Sequence, residues 1–193
     1  MKYNRLGKKF IARLQMETKK ISLPLNTSTI MDLHAGDNLL LTGYLYTGRD
    51  AAHKRLCKLI EDGKDLPFDI TDQTIYYVGP APAKPGYVIG PAGPTTSYRM
   101  DSYTIPLLER GLKGMIGKGI RSEEVINGIK KYNAVYLAAT GGAAALISKA
   151  VKSKEIICYD DLGTEAVHKL YVEDFPVIVV IDSKGNNLYD RNQ

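Results

Sequence analysis

Three glycine-bearing turns, Thr47-Gly48-Arg49-Asp50, Gly93-Pro94-Thr95-Thr96-Ser97-Tyr98-Arg99 and Thr140-Gly141-Gly142, each stand where an apolar run gives way to a helix-like stretch. A chain that repeats strand, turn and helix has few architectures open to it. Helices packed on a sheet bury both kinds of apolar surface at once, which predicts an α/β fold. Such turns also aim backbone N–H groups beyond the strand ends, an arrangement suited to an anion.

The periodicities fill in the order of elements. A short helix is expected over Thr29 to His34, with Asn26, Thr27 and Ser28 as cap candidates and Gly36 to end it. Asn38 to Tyr46 reads as a strand, and Ala51 to Asp62 as a helix with Ala52, Leu56, Leu59 and Ile60 on its apolar face. Thr74 to Val78 is a second strand. Residues 79–94 hold nine Gly or Pro in sixteen, interrupted by Tyr87-Val88-Ile89, a strand signal within a shaped loop. Ser102 to Arg110 is helical, with Pro106 kinking it or marking a late start. Lys113 to Ile116, Ala134 to Thr140 and the apolar run Phe175 to Asp182 are further strands, and Ala143 to Val151 a helix. A turn is expected over residues 184–187. No repeat is present, and one domain is expected.

Composition narrows the function classes. The chain has 193 residues, 44% of them hydrophobic and 24% charged, with no apolar run long enough to span a membrane. Its net charge of +5 is unevenly placed. Residues 1–20 carry seven Lys or Arg against Glu17, a net of +6, which leaves −1 on the body. The boundaries expected are a basic, solvated N-terminal extension over 1–20 and a globular domain over 21–193, with no nucleic-acid partner. The N-terminal stretch lacks both the apolar core of a secretory signal and the serines of a transit peptide, so a cytoplasmic protein is expected. Cys57 and Cys158 are the two cysteines, 101 positions apart and without ligand-spaced neighbours, so no zinc or cluster motif can be written from this chain.

Arg49 and Arg99 add guanidinium forks that match carboxylates with two hydrogen bonds each, and a small dicarboxylate needs two such forks. Each motif also has a local reading. Gly48 and Asp50 could be turn and cap residues, Thr95, Thr96 and Ser97 cap hydroxyls, Gly141-Gly142 a tight turn, and Lys118 a surface lysine. Gly117-Lys118-Gly119 is not a phosphate-binding loop, because Leu112 and Gly119 stand where that motif needs glycine and a hydroxyl. His34, His53 and His168 read as three separate, satisfied histidines.

Read together, the ten residues from Thr47 to Leu56 (TGRDAAHKRL) resemble the signature of the class I fumarase C-terminal domain and of the L(+)-tartrate dehydratase beta subunit. Tyr76-Tyr77-Val78-Gly79-Pro80, Gly93 to Ser97 with Arg99 to Tyr103, Gly117-Lys118-Gly119, Gly141-Gly142-Ala143-Ala144 and Phe175-Pro176-Val177 with Ile181-Asp182 follow in the family's order, from Ile21 to Tyr189. Tyr98 departs from the small residue of many relatives. The resemblance implies a swivelling β/β/α single domain and the beta subunit of a two-subunit hydro-lyase acting on a C4 dicarboxylate, fumarate or malate. L(+)-tartrate as substrate and a non-catalytic anion-binding or regulatory module stand as alternatives. It further implies a four-iron four-sulfur cluster held by a partner alpha subunit in a hetero-oligomer, with no cluster ligand in this chain. Arg49, Arg99 and Lys118 would bind substrate carboxylates, Thr95 would be the base, and Thr96 and Asp50 would support it.

Overall fold

The run Asn38–Thr47 forms the strand about which the sheet closes, because both of its edges are paired. The computed structural model describes residues 18–139 and 144–192. Its strands are β1 (Lys19–Ser22), β2 (Asn38–Thr47), β3 (Thr74–Tyr76), β4 (Gly114–Gly117), β5 (Val135–Ala139), β6 (Val151–Cys158) and β7 (Val167–Ile181). The α-helices are α1 (Thr27–Met31), α2 (Asp50–Glu61), α3 (Asp101–Glu109), α4 (Glu123–Tyr132) and α5 (Ala144–Ala150).

One edge of β2 takes antiparallel β7 from Asn38↔Ile178 to Tyr46↔Lys169. The other takes parallel β1 along Leu39 to Thr42, then parallel β3 at Tyr46 and Thr47. β7 changes neighbours in the same way, with β6 beside its first half and β5 beside its second. The path β2-β3-β4-β5-β7 therefore returns to β2, and the seven-stranded sheet closes into a barrel-like ring with β1 and β6 at its open edges. The register of β2 shifts between Leu41 and Gly43, and Gly43 (φ +132°) is the residue the bend requires: a Cβ there would come within 2.7 Å of the Leu23 carbonyl oxygen.

The pleat divides the core in two. Leu41, Leu45, Tyr76, Ile116, Leu137 and Phe175 pack in one apolar cluster. Ile75, Met115 and Tyr136, on the opposite face of the same strands, pack in the other with Leu56, Leu107 and Ile129 of α2, α3 and α4. Strands covered on both faces read as continuous apolar runs, which is why β3, β4, β5 and the second half of β7 stand out in the sequence. The expected α/β class holds.

Several boundaries differ from the sequence reading. β7 begins at Val167, eight residues before the apolar run, because its first half alternates buried and half-buried positions. β6 is an edge strand with Lys152 to Ile156 exposed, and so carries no apolar signal. α4 went unread although it follows every boundary rule: Ser122 caps Val125 N, Glu123 and Glu124 fill the first turn, Lys130 and Lys131 the last, and Asn133 ends it in the left-handed conformation (φ 49°). Tyr87-Val88-Ile89 is not a strand. Ala81 donates to Pro91 O and Gly90 to Ala81 O, so the segment closes on itself as a loop. Lys19 and Lys20, counted with the basic extension, belong to β1 and pair with Asp37 and Asp174. Thr140-Gly141-Gly142 and Ala143 lie outside the described residues. No helix among the described residues is long and apolar enough to cross a membrane.

Candidate active site

β2, β3, β4 and β5 run parallel, so the loops after Thr47, Tyr76, Gly117 and Ala139 all leave at one end of the ring. That end is where ligands of parallel sheets bind; three of the loops carry motifs within the described residues, and the fourth motif, Thr140-Gly141-Gly142, lies outside them.

Arg49 is the N-cap of α2 and Asp50 its first residue, and no side chain makes a cap hydrogen bond there. The pair serves the rim instead. Asp50 Oδ1 lies 2.9 Å from Arg99 Nε, and Asp50 Oδ2 lies 3.9 Å from Arg49 Nε. Arg49 Nη2 reaches Glu165 Oε1 at 3.1 Å. Gly79 makes room for this guanidinium, since a Cβ there would stand 3.3 Å from both Cδ and Nη1 of Arg49. Arg49 Nε and Asp50 Oδ2 are buried and have no hydrogen-bond partner, a gap that a ligand oxygen or a water can fill.

The loop after β3 is fastened to the loop after β4. Thr95 N donates to Tyr77 O at 2.7 Å, Ser97 N to Lys118 O at 2.9 Å, and Lys118 N to Ser97 Oγ at 3.1 Å. Thr96 and Lys118 form a parallel bridge that extends the sheet past its strands. Tyr136 Oη lies 2.9 Å from both Ser97 Oγ and Gly119 O. Gly117 is obligatory here, because a Cβ would collide with Ser97 Oγ. Thr96 caps the short 3-10 helix Ser97–Met100 in position only, with no side-chain cap bond. The hydroxyls read as caps are therefore not caps. Lys118 is exposed, and its Nζ has no hydrogen-bond or ion-pair partner among the described residues.

A buried layer supports both loops. Arg121 Nε donates to Asp101 Oδ1 at 2.7 Å and Nη2 to Thr104 Oγ1 at 2.7 Å, while Asp101 Oδ2 accepts Ser122 N. The Arg121 guanidinium also faces the rings of Tyr77 and Tyr136. His53, wholly buried on α2, hydrogen-bonds the Arg49 carbonyl through Nδ1 at 2.9 Å, and its Nε2 has no partner. The expectation of three satisfied histidines therefore fails at His53. Burial pushes its pKa down to about 4, with the Arg121 charge acting the same way.

The profile of the fumarase C-terminus family matches residues 4–192. The chain belongs to this family. It is 44% identical over 156 residues to the anaerobic class I fumarate hydratase of Escherichia coli K12, an alignment that covers 79% of this chain and 28% of that protein. It is 39% identical over 158 residues to fumarate hydratase 2 of Leishmania major, covering 81% and 28%. A Methanocaldococcus jannaschii protein assigned as an L(+)-tartrate dehydratase subunit beta is 37% identical over 173 residues, covering 86% of this chain and 89% of that one. The chain thus spans under a third of the length of the fumarate hydratases and nearly all of the subunit.

In this member of the fumarase C-terminus family, Arg49, Asp50 and Arg99 are joined by direct ion pairs, and Thr95 and Thr96 sit on the strip bonded to Lys118. Three contributors were given no site role by the sequence reading. Glu165 ends the 3-10 helix Asp160–Glu165, far from Arg49 in sequence, and nothing local marks it. Asp101 lies in the Arg99 to Tyr103 block and opens α3, and Arg121 follows β4, but nothing local marks the two as a buried pair. Cys57 donates to Tyr103 O in the helix-side core, Cys158 packs against the same cluster, and burial pushes both thiols up to about 11. Two cysteines are fewer than the four thiolates that hold an iron–sulfur cluster. Among the described residues, no group of three or more His, Cys, Asp or Glu is placed to hold a metal ion.

Proposed function

We propose that this chain is the small, beta-type subunit of a two-subunit, iron–sulfur-dependent hydro-lyase that reversibly adds water to a C4 dicarboxylate, with fumarate and malate as the pair. The observation that carries the reading is the convergence of Arg49, Arg99 and Lys118 at the strand C-terminal ends, with two carboxylates against three cations and two hydroxyls alongside. The net charge of these groups is positive, which favours a dianion. In this reading the four-iron four-sulfur cluster belongs to a cytoplasmic partner alpha subunit, because the cysteines of this chain do not suit it.

The contribution of this chain is to hold carboxylates and to move one proton. Arg49 and Arg99 keep free N–H groups beyond their ion pairs, and Lys118 supplies an unpaired ammonium. Holding both ends of the substrate fixes C3 against the Thr95-Thr96 strip. Thr95 takes the C3 proton in dehydration and returns it in hydration. The positive charges of Arg99 and Lys118 favour its alkoxide, without which a hydroxyl is a poor base. Asp50 and Thr96 keep the arginines and the strip in place.

A second reading, the beta subunit of an L(+)-tartrate dehydratase, is favoured by the near full-length match to the Methanocaldococcus jannaschii protein. The chemistry and the site are shared, so substrates decide. Co-expression with a larger, cysteine-rich chain should yield a co-purifying complex that turns over fumarate and malate, or L(+)-tartrate under the second reading. The isolated chain should bind no stoichiometric iron. An isolated chain that binds dicarboxylates but neither recruits a partner nor supports turnover would establish an anion-binding module instead.

A further inference from the structure

We infer that His53 is a positioning residue for Arg49, acting through the Arg49 backbone by its Nδ1–H tautomer; the inference rests on the proposed role of Arg49 as a carboxylate binder. The Arg49 carbonyl accepts two hydrogen bonds from this one residue, from His53 N and from His53 Nδ1, each at 2.9 Å. A carbonyl has no proton to give, so Nδ1 carries the hydrogen and Nε2 a lone pair. That lone pair is buried without a partner. A leucine would fill the same space with no stranded acceptor, so packing alone does not account for an imidazole here.

What the imidazole adds is a grip on the turn. Arg49 has no side-chain cap bond at the start of α2, and the ring adds a second hydrogen bond to its carbonyl. Gly48 admits the ring: a Cβ there would stand 3.2 Å from His53 Cε1 and 3.4 Å from Nδ1. The ring meets Tyr77 edge-on at 5.2 Å between centroids, and Tyr77 O accepts the Thr95 N–H. One buried ring therefore lies against both the turn that carries Arg49 and the strand end that holds Thr95.

Three substitutions separate this role from packing. His53→Asn keeps an N–H where Nδ1 stands, His53→Gln carries its amide out to the place of Nε2, and His53→Leu removes the donor. In the two-subunit complex, His53→Asn should keep KM for malate within about threefold of wild type, whereas His53→Gln and His53→Leu raise it roughly tenfold with a smaller change in kcat. If His53→Leu matches His53→Asn, the residue only packs. Nitrogen NMR of the 15N-histidine-labelled chain gives an answer independent of turnover: a protonated Nδ1 and bare Nε2 support the inference, and the Nε2–H tautomer overturns it. A wild-type complex without hydro-lyase activity would sink the proposed function, while the NMR tautomer would still decide whether His53 grips Arg49.

Discussion

The carboxylate of Asp50 lies 2.9 Å from Arg99 Nε, tying the first residue of α2 to the 3-10 helix that precedes α3. Arg99 is 52% exposed, and a long side chain in solvent samples many rotamers unless it is held. Asp50→Asn keeps the shape and removes the charge. Because the pair is substantially exposed, its loss should cost about 1 kcal/mol or less and leave Tm within a few degrees. Turnover should suffer more, with kcat/KM for the dicarboxylate falling roughly tenfold as Arg99 is released. A lower KM in this variant would mean that Asp50 competes with substrate for the arginines.

Arg49→Lys and Arg99→Lys keep the charge and lose the fork. A charge-assisted hydrogen bond is worth about 1.5–3 kcal/mol, so each change should cost roughly tenfold to a hundredfold in kcat/KM. The larger loss is expected at Arg49, which is 25% exposed and spans Glu165 and Asp50 at once; water replaces less of what the fork did there. Equal kinetics for wild type and Arg49→Lys would reduce Arg49 to a structural residue.

Much of this rim was legible in the sequence because glycine marks it. Gly48, Gly117 and Gly119 flank Arg49, Asp50 and Lys118, and apolar runs covered on both faces announced β2 to β5. The first half of β7, where His168, Lys169 and Tyr171 interrupt the apolar positions, and the exposed edge strand β6 gave no such signal. Glu165 was out of reach for another reason. Its pairing with Arg49 depends on how the sheet closes through β7, a non-local property that no residue near 165 records.

Ser97 and Gly117 are coupled by contact. Ser97→Ala removes the hydroxyl that accepts Lys118 N and pairs with Tyr136, and should cost about 1–3 kcal/mol. Gly117→Ala drives a methyl into that hydroxyl and should cost about 1–3 kcal/mol by overpacking. Together they should cost clearly less than the sum, because the alanine at 97 vacates part of the space the new methyl needs. Urea midpoints of the four proteins measure this, and strict additivity would show that Ser97 and Gly117 are not coupled.

His53 makes stability pH-dependent in a defined direction. Its pKa falls from 6.5 to about 4 on folding, so between those values the unfolded chain binds the extra proton and stability drops as pH falls from 6.5 toward 4. His168 is lowered too and adds loss of the same sign. The His53 share is on the order of 3 kcal/mol. Unfolding free energy followed from pH 7 to 4.5 should decline more steeply in wild type than in His53→Asn. Parallel curves would show that the histidine titrates normally in the folded state.

Thr95 is the sharpest case, because its alternative role has been removed. The residue is half-buried, its N–H is fixed on Tyr77 O, and its side chain makes no cap bond, nor does that of Thr96 at the 3-10 helix. Thr95→Ala therefore leaves the backbone strip intact and should cost stability no more than an ordinary surface change, about 0.5 kcal/mol. Binding of a dicarboxylate inhibitor, assigned in the proposed function to Arg49, Arg99 and Lys118, should persist. Proton transfer should not, because in the proposed mechanism the Thr95 hydroxyl is the base that takes the C3 proton. In the two-subunit complex, exchange of the substrate C3 hydrogen with deuterated solvent should fall by about a hundredfold or more while inhibitor affinity stays within about threefold. Exchange at the wild-type rate would take Thr95 out of the reaction and assign the base to the partner subunit, leaving this chain to clamp carboxylates alone.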